Sequence, residues 1–106
     1  MHATGVVPRL YRPPYGILTG TSLAYAERRG WTTMLWSAWG KDWRADASGE
    51  SIANLVNRDL RAGTVVLLHD ADYYGAFGSW QNTLAALPRI FDAAAARGLE
   101  FALPSV

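Results

Sequence analysis

The stretch Thr64-Val65-Val66-Leu67-Leu68-His69-Asp70 decides the fold. Four consecutive apolar residues follow a threonine and stop abruptly at a histidine and an aspartate. A strand this short and this continuously apolar suits a parallel sheet covered by helices on both faces, because a strand with one wet face would alternate. Upstream of it, Ile52, Leu55, Val56 and Leu60 recur at helical spacing and Gly63 stops the run. Downstream, residues 70–81 read as a loop with Gly75, Gly78 and paired tyrosines. A last helix is expected from about Thr83 to Arg97, kinked or restarted at Pro88 and capped by Gly98, and Leu99 to Leu103 is expected to form a final strand.

The first half of the chain repeats the pattern. Val6 to Tyr11 is a short apolar stretch that must end at the Pro13-Pro14 pair. A helix is expected from about Thr21 to Arg29 with Gly30 as its cap, then a buried strand from Trp31 to Trp36, and a loop from Ser37 to Gly49. Strands alternating with helices argue for parallel βα units rather than a bundle or a sandwich.

At 106 residues the chain is one domain at most, and short for a complete (β/α) barrel. Half of the residues are hydrophobic and 18% are charged, which places the chain among globular proteins. A net charge of +1, a single lysine (Lys41) and scattered arginines argue against a nucleic-acid surface. Without cysteine there is neither a disulfide framework nor a thiolate metal site. No apolar run is long enough to span a bilayer, and the first ten residues lack the hydrophobic region of a signal peptide, so localisation stays undetermined.

Three motifs are expected just past the carboxyl ends of strands, where the loops of βα architectures converge. They are Arg12-Pro13-Pro14-Tyr15-Gly16, the tryptophan-rich Trp36-Ser37-Ala38-Trp39-Gly40-Lys41-Asp42-Trp43, and Val65 to Asp70. In order and spacing they resemble the later motifs of the polysaccharide deacetylase domain (NodB homology, carbohydrate esterase family 4). The resemblance runs from about Thr4 through Pro104. It implies a partial (β/α) barrel of about four parallel strands alternating with three helices. The family's opening TFDDG motif and its metal-binding HxxxH lie upstream of RPPYG, whereas this chain starts eleven residues before Arg12. Residues 1–106 are therefore expected to be the C-terminal part of such a domain, with its first half missing.

Removing an N-acetyl group from a sugar requires an activated water, stabilisation of a tetrahedral oxyanion and an acid for the leaving amine. By resemblance His69 is that acid, and a histidine exchanges protons near neutral pH. Asp42 and Trp43 match the end of the family's DxxDW motif, in which the aspartate orients the histidine and the tryptophan walls the site; Trp39 stands in place of its first aspartate. A carboxylate beside a histidine fixes its tautomer and favours the protonated ring. Leu67 matches the leucine of the acetyl-methyl pocket. Arg12 matches an arginine that grips the catalytic-base aspartate, a role its forked guanidinium suits, and the backbone N–H of Tyr15 matches an oxyanion donor. The family uses a divalent metal, zinc being the expected ion, but its ligands are absent from this sequence.

Each motif also has a plainer reading: a satisfied core histidine, a proline turn, aromatic packing under a loop. Trp36, Trp39, Trp43, Tyr73, Tyr74 and Trp80 offer either sugar-stacking faces or such packing. Asp70-Ala71-Asp72 has the DxD form of some glycosyltransferases, a common triplet. His2 lacks a second histidine at metal spacing and reads as surface. The expected function is hydrolysis of carbon–nitrogen, non-peptide bonds in N-acetylated polysaccharides, with this chain inactive alone. The alternatives are a non-catalytic glycan-binding module or a degenerate fragment. An open barrel edge is expected to favour self-association.

Overall fold

The computed structural model describes residues 3–105, so His2 lies outside the described residues. The chain forms two compact units, one of residues 1–35 with 103–106 and the other Trp36–Ala102. Each contains one strand–helix–strand arrangement with parallel strands, the connection that βα patterning dictates.

In the first unit, β1 (Leu10–Tyr11) pairs parallel with β2 (Thr32–Thr33). Between them, α1 spans Gly20–Arg28. Thr19 caps α1 through a reciprocal capping box with Ser22, each side chain accepting from the other residue's backbone N–H at 3.1 and 3.2 Å. The helix thus begins one residue before the Thr21 start that spacing suggested. The expected buried strand 31–36 is shorter and not buried: only Thr32–Thr33 pair, and Thr32 and Leu35 are exposed.

In the second unit, β3 (Ala38–Trp39) pairs parallel with β4 (Val66–Leu67), with Ala38 opposite Val66 and Trp39 opposite Leu67. The expected loop 37–49 therefore contains a strand. Ser37 locks its start, donating its N–H to the Val65 carbonyl at 2.9 Å while its hydroxyl accepts the Val65 N–H at 3.1 Å. α2 (Gly49–Asp59) follows, capped by a reciprocal Ser48/Ser51 box. α3 runs unbroken over Ser79–Ala96 with Pro88 inside, so the restart expected at Pro88 does not occur. Proline forfeits only the bond to the carbonyl four residues back, that of Leu84, which is an exposed residue able to use water instead. The strand expected at Leu99–Leu103 is also absent: residues 99–105 have no regular secondary structure and no ladder pairing.

α2 and α3 pack their apolar stripes together. Ile52, Ala53, Val56, Ala86 and Ile90 are fully buried, with Ala47, Val66 and Leu68 packed against them. The fold class is α/β with parallel strands and three α-helices; its strands form two two-stranded sheets, neither of them closed.

Candidate active site

The second unit brings Trp39, Asp42, Trp43 and His69 together, and adds Thr83. Asp42 comes from the turn after β3. A Cβ on Gly40 would lie 2.5 Å from Cγ2 of Ile52 and 3.1 Å from Cδ2 of Leu68, so only glycine lets the chain leave β3 this close to the core. Lys41 then takes a left-handed φ of 49°, and the Asp42 side chain is wholly buried.

A buried carboxylate must be hydrogen-bonded, and three donors meet it. The His69 backbone N–H donates to Oδ2 at 2.6 Å, and the Thr83 hydroxyl donates to the same oxygen at 2.8 Å. Oδ1 lies 2.8 Å from Nδ1 of His69. An ionised carboxylate only accepts, so Nδ1 carries the proton and Nε2 is the nitrogen left for chemistry. The His69 side chain is 45% exposed, so solvent and a ligand can reach the ring. His69 lies two residues past the end of β4, which gives the pair its geometry: adjacent parallel strands deliver the histidine and its carboxylate side by side.

Trp43 stands edge-on to the imidazole, ring centroids 5.7 Å apart at 81°. Trp39 lies 5.3 Å from Trp43, and Trp36 lies 6.2 Å from Trp39, so three indoles run outward from His69. Lys41 Nζ sits 5.5 Å over the Trp39 ring. Leu67, half-buried, is the register partner of Trp39. The loop after His69 closes on Trp43, whose carbonyl accepts the Ala76 N–H at 2.8 Å; a Cβ on Gly75 would come within 3.0 Å of Trp43 Cβ. Asp72 Oδ2 accepts the Gly78 N–H at 2.6 Å at the start of α3, so the second acid of the DxD triplet closes this loop.

Arg12 and Tyr15 belong to the first unit and follow β1. Pro13 is buried, and Pro14–Gly16 form one 3₁₀ turn held by Gly16 N–H to Pro13 O at 3.0 Å and Ile17 N–H to Pro14 O at 3.1 Å. Tyr15 takes a left-handed φ of 57°. Arg12 is exposed.

Among the described residues no three His, Asp or Glu side chains converge. Both Asp42 oxygens are already occupied, and Asp72 is engaged by Gly78. These residues do not fit the divalent metal that the resemblance implies.

Thr83 was not legible as part of the site. Its signal was its place on the buried stripe of α3 with Ser79, Ala86, Ile90 and Ala94, where a hydroxyl needs an acceptor. Reading Thr83 as the helix start hid that stripe.

No protein-family model matches the chain. Comparison with curated proteins does find relatives. A bifunctional xylanase/xylan deacetylase of Cellvibrio japonicus is 38% identical over 92 residues, covering 87% of this chain and 13% of that protein. A peptidoglycan-N-acetylglucosamine deacetylase of Bacillus cereus is 35% identical over 96 residues, covering 89% of this chain and 42% of that protein. Among solved structures, a family 4 carbohydrate esterase from Streptomyces lividans in complex with acetate matches with TM-score 0.77 and 36% identity, over 98% of this chain and 49% of that one. Over most of its length this chain is similar to polysaccharide deacetylases and to a carbohydrate esterase of family 4. Members of that family are carbohydrate esterase hydrolases. The chain spans less than half the length of the curated deacetylases it matches, which fits part of a NodB-homology domain. Within the described residues no helix is long and apolar enough to cross a membrane.

Proposed function

We propose that this chain carries the proton-donor half of a glycan N-deacetylase, acting on N-acetylated polysaccharide. The observation that supports this most is the Asp42–His69 pair, a buried carboxylate holding the Nδ1 side of a half-exposed histidine beside a tryptophan edge. When water's oxygen bonds to the acetyl carbon, the carbon–nitrogen bond must break with its electron pair going to nitrogen. Protonated His69 gives its Nε2 proton to that nitrogen, so a free amine and acetate leave. Asp42 keeps the ring oriented and balances the imidazolium before transfer. Trp43 and Trp39 wall and stack the sugar, and Leu67 lines the acetyl-methyl pocket. The Tyr15 N–H, on a turn stiffened by two prolines, is the oxyanion donor. Arg12 orients a base aspartate.

In this proposal that aspartate and the ligands of the family's divalent metal, expected to be zinc, come from residues beyond these 106. The two open sheets are then parts of one barrel, and the chain alone is inactive and prone to self-associate through its strand edges. The test compares acetate release from N-acetylated chitooligosaccharide and peptidoglycan by the chain and by the protein extended upstream. Activity in the extended protein, lowered about 100-fold or more by His69→Ala, is expected. Full activity of that variant overturns the assignment of the acid. Enzymatic turnover by the 106 residues alone overturns the division between the two halves.

A second reading, a non-catalytic glycan-binding module, is favoured by the exposed aromatics Tyr73, Tyr74 and Trp80. It requires saturable, chelator-insensitive oligosaccharide binding that Trp43→Ala abolishes.

A further inference from the structure

We infer that Thr83 is a positioning residue that fixes the Asp42 carboxylate and, through it, the ring tautomer of His69. For catalysis this rests on the reading of His69 as the acid; the contact itself does not. The Thr83 hydroxyl has one proton and two acceptors within reach, Asp42 Oδ2 at 2.8 Å and the Ser79 carbonyl at 3.4 Å. The shorter contact, to a carboxylate, takes the proton. Thr83 is itself buried, and its branched Cβ restricts the rotamers open to it on a helix. The hydroxyl is therefore a fixed donor.

Its effect on the site follows from how the carboxylate is shared. Oδ2 takes two donors, the His69 N–H and the Thr83 hydroxyl, whereas Oδ1 faces only the imidazole. Two donors on one oxygen hold the carboxylate plane still and draw negative charge from the oxygen that faces the ring. Without the hydroxyl, Oδ2 keeps one donor, and the carboxylate is freer to turn from the position in which Oδ1 faces Nδ1. α3 thereby acts through Asp42 on a residue just past β4.

The remaining ionisable groups on the neighbouring segments are the same in every variant. Lys41 holds its Nζ over Trp39, Asp72 is bonded to the Gly78 N–H, and Asp70 is exposed. A difference between variants thus isolates the hydroxyl.

The test is nitrogen NMR of the 106-residue chain labelled only at histidine, where His2 and His69 are the two signals. Thr83→Val, nearly isosteric, is expected to move the His69 ring-nitrogen shifts away from the pattern of a ring protonated at Nδ1 and toward a mixture of tautomers. Thr83→Ser restores the hydroxyl and is expected to bring those shifts back toward the wild-type values. Unchanged ring nitrogens in Thr83→Val overturn the inference. If Thr83→Val does not fold, the wild-type chain decides: its Thr83 hydroxyl proton should exchange slowly and show a cross-peak to the His69 amide. A hydroxyl exchanging at the solvent rate overturns the inference. Neither readout depends on acetate release, so an upstream-extended protein that releases no acetate, with the His69 ring nitrogens still moved by Thr83→Val, refutes the deacetylase reading and leaves this one standing.

Discussion

Replacing Asp42 by asparagine tests the site most directly, because the change removes a charge and one acceptor while keeping the shape. The carboxylate takes bonds of 2.6, 2.8 and 2.8 Å. An asparagine satisfies the two donors on Oδ2 only if its carbonyl oxygen sits there, which turns its NH₂ toward Nδ1 of His69. Nδ1 must then accept, and the ring proton moves to Nε2. Bonds to a charged group contribute about 1.5–3 kcal/mol and neutral ones about 0.5–1.5, so the two bonds kept on Oδ2 lose about 1 kcal/mol each. The reversed bond at the ring loses a similar amount, and relief from burying a charge offsets part of the sum. The net cost is about 2 kcal/mol, a urea midpoint lowered by roughly 1 M. Histidine nitrogen shifts read the tautomer and urea unfolding reads the cost. A variant with His69 nitrogens and urea midpoint both like wild type refutes the argument that Asp42 dictates the ring's proton. In the catalytically complete protein, acetate release should also fall by about 100-fold or more, because Nε2 loses its supported imidazolium form.

Gly40→Ala forces a methyl against Ile52 and Leu68; an overpacking cost of about 1–3 kcal/mol is expected in denaturant unfolding, and an unchanged midpoint contradicts the packing described. Arg97 donates through one nitrogen to the Asn57 and Leu60 carbonyls at 2.6 and 2.7 Å, so Arg97→Ala should cost about 1 kcal/mol and speed amide exchange at the end of α2, whereas Arg97→Glu should cost more. Elemental analysis of the purified chain after dialysis should find less than one zinc per molecule, since no three ligands converge among the described residues; one tightly held zinc contradicts that reading. Light scattering across a concentration series should show self-association, and a monodisperse monomer with a cooperative unfolding transition counts against the open strand edges as its cause.

The sequence by itself determined the kind of elements and their order. Val65–Leu68 is apolar at every position, the pattern of a parallel strand in a βα unit, although all four residues are only half-buried. Helical spacing in Ile52–Leu60 and the three motifs at strand ends were legible for the same reason: periodicity and turn chemistry are local. Only tertiary structure decided where pairing happens and which polar groups meet. Ala38–Trp39 became a strand because Ser37 and Val65 exchange hydrogen bonds 28 residues apart, and Leu99–Leu103 did not because no ladder partner pairs with it among the described residues. Asp42 and His69 stand 27 residues apart, and Thr83 lies 41 residues beyond Asp42. A carboxylate shared by three segments is a property of their packing, and no one segment's residues specify it.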